Sequence, residues 1–420
     1  MRVVHTFVKY PPAIGGHELY VQQLVEGLRA RGHDARVLTS SLRVHAHSGT
    51  RAPGLHRWLR RARGIRPRAE IDGYELLEAP FDEVGGVPVT RLKPVLPVTR
   101  RVELQGFAQA LRALEPELIH AHDIWRSSFE ISLEVAAELG IPLFINPVFH
   151  DRSGERHAER WNSVLRRVAS KVPKGTRVFF NSPWEGEQLE RCGVRFEHTE
   201  LLPPSLDLEQ LGRVPAAEVE GLPTDGLVIS FVGRLNPDKG ADVALGSFAA
   251  ALGELERRHG GRMRPIHLVL AGFRDSSVDY EARARELGVG ERVTVLYDRP
   301  RADVVNVMRR SSIFMLPSRV ETFGIVVTEA WATGNLVLVQ DHWALPHVVR
   351  DGHDGVVCRA DDWTARLIHA IEHVDTEWGR RLIENGLQTV QERYERGARI
   401  DQLVDSMESA TGARRPRADA

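Results

Sequence analysis

Ile313-Phe314-Met315-Leu316-Pro317-Ser318-Arg319-Val320-Glu321-Thr322-Phe323-Gly324-Ile325-Val326-Val327-Thr328-Glu329 reads as a strand, a break and a helix in succession. The helix is predicted over residues 324–333, closed by Gly334 at a position suited to a left-handed cap. A helix that starts just beyond a strand end presents unpaired backbone N–H groups and about half a positive charge, a ready anion site. Glu321 stands just before this helix and Glu329 in its second turn, at most about 12 Å apart along the axis. That is the span of a pyrophosphate with a sugar at each end. An ionised Glu only accepts hydrogen bonds, so Glu321 suits the hydroxyls of one sugar and Glu329 a ribose diol. The plainer reading is an ordinary sheet-covering helix with one capping Glu and one exposed Glu, and the rest of the chain decides between the two.

A chain of 420 residues suits two or three domains, each with enough apolar material for a core. The formal net charge of −1 provides no field to recruit nucleic acid. Cys192 and Cys358 are far apart and match neither a disulfide framework nor zinc spacing, which fits a reducing cytoplasm. The first residues read as a strand rather than a signal peptide, and no apolar run approaches the roughly 20 residues that span a bilayer. A soluble cytoplasmic protein is therefore expected.

Upstream, Val3–Val8 predicts a strand, Tyr10-Pro11-Pro12-Ala13-Ile14-Gly15-Gly16 a loop, the following residues an amphipathic helix, and Ala35-Arg36-Val37-Leu38-Thr39 a second strand. This is a right-handed parallel unit, and its doubled glycine admits close approach of a phosphate to backbone. Residues 41–69 contain eight Arg and no acid. The stretch 57–68, with Trp58 and Leu59 among its arginines, suits contact with an anionic membrane or an acidic acceptor; a solvated insertion interrupted by Gly54, Gly64 and Pro67 is the plainer reading.

His120 and His122 fall on one side of a predicted strand; no further clustered His or Cys is apparent to complete a metal site, so no metal is expected. His150-Asp151 follows strand 141–146 at the kind of strand end where α/β sheets place ligand-binding residues. Ser182 caps a further helix, and residues 208–226 read as a hinge between domain 1–207 and domain 227–393. The second domain opens with the continuous apolar run Leu227-Val228-Ile229-Ser230-Phe231-Val232, then Gly233-Arg234-Leu235-Asn236-Pro237-Asp238-Lys239-Gly240. Arg234 by its fork and Lys239 as a point charge are placed to straddle adjacent phosphates. A helix over 394–412 and a disordered tail, 413–420, complete the expected plan. G-x-G-x-x-G, the P-loop pattern and D-x-D are all absent, which removes support for hydride transfer, simple phosphoryl transfer and metal-held diphosphate.

Gly15-Gly16, His120-Ala121-His122, His150, the Arg234–Lys239 segment and Glu321-x7-Glu329, in that order, resemble the retaining family 4 glycosyltransferases of GT-B fold. The resemblance spans nearly the whole chain. It implies two Rossmann-like α/β domains facing each other across a cleft, the terminal helix crossing back to the first, and front-face transfer with retained anomeric configuration. The leaving phosphate then takes the acceptor's proton, and no cofactor or metal is needed beyond the nucleotide-sugar substrate. Carried onto this sequence, Arg234 and Lys239 stabilise leaving-group charge, with help from the Gly15-Gly16 loop. Glu321 with the backbone of Phe323, Gly324 and Ile325 holds the sugar, Glu329 the ribose, His150 orients the sugar, and His122 lines the donor site. Three segments depart from the family. Asp151-Arg152-Ser153-Gly154 replaces small hydroxyl residues, His347 stands where Glu is common, and Tyr297-Asp298-Arg299-Pro300 replaces the glycine turn that meets the base. Donor base, sugar and acceptor are therefore not legible. A GT-B epimerase or hydrolase, and a binding subunit without activity, are the alternatives.

Overall fold

Parallel strands buried on both faces need covering helices, and the alternation of short apolar runs with amphipathic segments supplies them. The structure, a computed structural model, describes residues 1–13, 15–44, 70–71, 74–77, 80–95, 101–149, 158–274 and 278–412. The basic stretch 57–68, His150-Asp151 and the tail 413–420 lie outside them. Two compact units divide at Ser205/Leu206, and the chain from Arg396 onward belongs with the first.

The strands are β1 (Arg2–Thr6), β2 (Asp34–Ser40), β3 (Leu42–Val44), β4 (Glu70–Ile71), β5 (Tyr74–Leu76), β6 (Phe81–Val84), β7 (Val87–Leu92), β8 (Leu118–His122), β9 (Leu143–Asn146), β10 (Arg177–Phe180) and β11 (His198–Leu201) in the first unit. Its main sheet runs β11-β10-β9-β8-β1-β2-β7-β6, parallel except for the edge strand β6. Strands β3, β4 and β5 form a small antiparallel sheet. The second unit contains β12 (Leu227–Val232), β13 (Ile266–Gly272), β14 (Val293–Tyr297), β15 (Ile313–Leu316), β16 (Leu336–Gln340) and β17 (Val356–Cys358), in the order β14-β13-β12-β15-β16-β17, all parallel.

Period-two alternation splits the second sheet's side chains between two cores. Leu227, Ile229, Phe231, Ile313, Met315, Leu336 and Leu338 point into one. Val228, Val232, Phe314, Leu316, Val337 and Val339 point into the other, with Trp331 and Tyr394. Each such side chain, fully buried, contributes about 1.5–3 kcal/mol.

Residues 208–226, read as a hinge, carry the helix Leu208–Arg213 and send Leu211 and Val219 into the second unit's core. Tyr394 does not open the last helix: its ring stacks on Trp331 at 6.3 Å and its carbonyl accepts from the Leu206 amide. The helix itself, Arg396–Thr411, packs on Gly16–Ala30. A Cβ at Gly27 would lie 2.5 Å from Ile400. Arg31 pairs with Asp401 at 2.5 Å and Arg396 with Glu26 at 3.2 Å. Among the described residues, no helix is long and apolar enough to cross a membrane.

Candidate functional site

The second sheet reverses its strand order between β12 and β15. In open α/β sheets ligands settle outside the carboxyl ends of the strands at such a point. The loops leaving those two strands are Gly233–Gly240 and Pro317–Gly324, the two segments singled out for phosphate and sugar.

Their backbones touch. A Cβ at Gly240, whose φ is +79°, would lie 2.0 Å from the Pro317 carbonyl oxygen, so no larger residue fits there. Asn236 Oδ1 accepts from the Lys239 amide at 2.9 Å and caps the single turn Pro237–Lys239. The Arg319 amide donates to the Asp238 carbonyl at 2.9 Å. This stitching aims the Lys239 ammonium at the neighbouring loop, where it donates to Glu321 Oε1 at 2.5 Å and to the Val320 carbonyl at 3.0 Å. Arg234, by contrast, is exposed on its loop. Gly324, at φ +87°, starts the helix Ile325–Ala332, and Phe323 is buried beneath it. As at any helix start, the first amides lack intrahelical acceptors.

Glu329 is not the exposed helix residue of the plainer reading. It is 2 % exposed, and its Oε1 accepts from Arg301 Nη2 at 2.6 Å. Each carboxylate of the Glu321/Glu329 pair thus has a cation on one oxygen. Neither partnership was visible in the sequence, because 82 and 28 residues separate the members. At the end of β14 the Arg274 guanidinium lies 4.0 Å above the Tyr297 ring.

In the first unit the order reverses between β1 and β8. The loop after β1 ends at Gly15, in extended conformation, and Gly16 begins the helix. His122 is fully buried. Its Nε2 lies 3.2 Å from His5 Nδ1, and its ring stacks on His120 at 4.4 Å. The expectation that no further His joins His120 and His122 is corrected: β1 pairs in parallel with β8 and sets His5 opposite His120. One nitrogen of each of the three lies within 4.8 Å of the others, a donor set of the kind metals use. Burial holds the rings neutral at pH 7, with His5 and His122 well below the usual imidazole range and His120 lowered to about 4.

His150 lies outside the described residues, but the loop leading to it does not. Glu185, fully buried, accepts from the Phe149 amide at 2.6 Å and the Asn181 amide at 2.8 Å. Burial raises its carboxyl to about 7 against the pull of those amides. Ser182 occupies the cap position expected for it, but its side chain makes no capping bond, and Glu185 takes the amide before the helix instead. A Glu three residues after a Ser cap was the available signal.

Residues 15–205 match the Glycosyl transferase 4-like domain, and residues 215–388 the Glycosyl transferases group 1 family. A D-inositol 3-phosphate glycosyltransferase of Acidothermus cellulolyticus is 29 % identical, over 92 % of this chain and 83 % of its own. Its namesake in Mycolicibacterium smegmatis is 26 % identical over 92 % and 86 %. Among solved structures, sucrose-phosphate synthase of Thermosynechococcus elongatus superposes with a TM-score of 0.68 at 20 % identity, covering 99 % of this chain and 100 % of that one. HepE of Anabaena, solved with UDP, gives 0.67 at 18 % identity over 97 % and 100 %.

Two parallel α/β units with this likeness define a glycosyltransferase of GT-B fold that draws on a nucleotide-sugar donor. Within that class the chain belongs to family 4. The epimerase or hydrolase alternative is not favoured.

Proposed function

We propose that the chain transfers a sugar from a UDP- or GDP-linked donor to a hydroxyl or other nucleophile, with retention at the anomeric carbon and without a metal. The observation that supports this best is the Lys239–Glu321 pair at the strand-order reversal. An ammonium has three N–H donors, and two are taken by Glu321 and Val320, which leaves one for a diphosphate oxygen. Glu321 keeps a second oxygen for a sugar hydroxyl, held near the helix start at Gly324. Arg234 adds a second cation to the departing diphosphate, and Glu329 takes the ribose. With charge neutralised by the protein, the leaving phosphate accepts the acceptor's proton. His150 orients the sugar in this reading, and Gly15, Gly16 and His122 serve the donor. A cytoplasmic setting is supported by the two free cysteines.

Thermal shifts with UDP, GDP and ADP identify the base, since a ligand at 100 times its dissociation constant stabilises by about 2.7 kcal/mol. Transfer is then followed by proton NMR of the anomeric signal, with D-inositol 3-phosphate, named in the relatives above, heading the acceptor panel. Retained configuration and rates unchanged by chelator are expected. An inverted product refutes the retaining reading, and a rate abolished by chelator and restored by stoichiometric Mg²⁺ or Mn²⁺ refutes metal independence.

A further inference from the structure

Arg301 is the first residue of the helix Arg301–Arg310, which follows β14 after a short turn. Its side chain is half-exposed, yet it reaches the most buried acid of the site: the Glu329 side chain is 3 % exposed and Arg301 Nη2 sits 2.6 Å from its Oε1. A carboxylate so enclosed is costly without a compensating charge. Among the described residues Arg301 is the only ion-pair partner of Glu329, and Oε2 makes no hydrogen bond. The backbone of Glu329 is occupied separately, its carbonyl accepting from Thr333. The carboxylate is therefore held through one oxygen by one cation, and the other oxygen is left to receive a ligand.

We propose that Arg301 is a specificity-determining positioning residue: by holding Oε1 of Glu329 it turns Oε2 toward the ribose 2′- and 3′-hydroxyls, so that the site reads ribose against deoxyribose. This rests on the placement of the ribose at Glu329. Arg301 acts through Glu329 and not on the reacting atoms. Its loss blurs the distinction between sugars of the nucleotide while leaving the phosphate contacts of Lys239 in place. The contact is a single one, Nη2 to Oε1, so an ammonium placed there as a point charge reproduces only part of it.

The test is calorimetric binding of UDP and 2′-deoxy-UDP, and of GDP and 2′-deoxy-GDP, to the full chain, to Arg301→Ala, Arg301→Lys and Glu329→Gln, with circular dichroism as the folding control. A hydrogen bond to a charged group is worth roughly 10- to 150-fold in affinity. The wild type is expected to prefer the ribonucleotide by a factor in that range. In Arg301→Ala the preference falls to within about threefold through weaker ribonucleotide binding, the deoxynucleotide affinity being unchanged, and Arg301→Lys recovers part of it. If the wild type shows no preference, the ribose placement at Glu329 fails and this inference with it. If Glu329→Gln loses the preference while Arg301→Ala keeps it, Glu329 stands and Arg301 is overturned. Equal weakening of both nucleotides by Arg301→Ala also overturns it, since a merely structural role produces that pattern.

Discussion

Lys239→Ala and Glu321→Gln, made singly and together, put the strongest claim of the site to a quantitative test. The ammonium and carboxylate meet at 2.5 Å with side chains 19 % and 14 % exposed, so the pair is largely withdrawn from water. Lys239→Ala removes that contact, the bond to the Val320 carbonyl and the one donor left for the diphosphate. One charge-assisted bond to a group whose charge grows in the transition state is worth about 1.5–3 kcal/mol, so kcat/KM falls roughly 10- to 150-fold. Glu321→Gln keeps an acceptor oxygen but loses the charge that fixes the lysine, and a loss in the same range follows. Because the residues act through each other, the double variant loses less than the product of the single effects, with a coupling of about 0.5–3 kcal/mol. Initial rates below donor saturation give the cycle, and urea melts separate catalytic from stability effects. Full activity of either single variant, or strict additivity in the double, refutes the idea that the two loops form one electrostatic unit.

Two further predictions concern the first unit. The buried imidazoles make it acid-labile: burial holds the folded-state pKa values of His5, His120 and His122 below their ordinary 6.5, His120 at about 4, so their contribution is intact above pH 6.5 and is lost as pH falls below it. Glu185, raised from 4.5 to about 7, runs the other way, its contribution being full below 4.5 and lost as pH rises through 7. Between pH 6.5 and 4.5 three imidazoles outweigh one carboxyl, so the unfolded chain binds more protons than the folded one and stability falls with pH; denaturant melts that stay flat from pH 7 to 5 contradict it. Gly27→Leu forces side-chain atoms into Ile400, 2.5 Å from even a Cβ, and should cost about 1–3 kcal/mol by displacing the helix Arg396–Thr411; unchanged urea midpoints with unaltered protease resistance of the C-terminus count against this packing.

Where a feature is local in sequence, its chemistry was legible; where topology makes it, it was not. The run Leu227–Val232 announces a strand with no solvent face, and the structure divides its side chains between two cores by parity alone. Gly324 and Gly334 bracket a helix because each takes positive φ, a requirement that a short stretch of residues states openly. Lys239 and Glu321, by contrast, become partners only because β12 and β15 are neighbours at the reversal of strand order, and no spacing rule connects residues 82 apart. His5 was passed over for the same reason: a lone His in an apolar strand looks like a packed core residue until β1 is laid beside β8. The antiparallel additions β3 to β6 were missed on different grounds, since they are short and one of them, β6, is half-exposed, leaving little hydrophobic alternation to read. Proline and polarity in residues 208–226 signal a connection, and what they do not announce is that Leu211 and Val219 bind that connection to a core. It follows that the residues most open to surprise in such a chain are charged ones at strand ends, where burial is set by a partner from elsewhere. Arg301 and Glu185 are both of this kind, since each fixes a group on another segment.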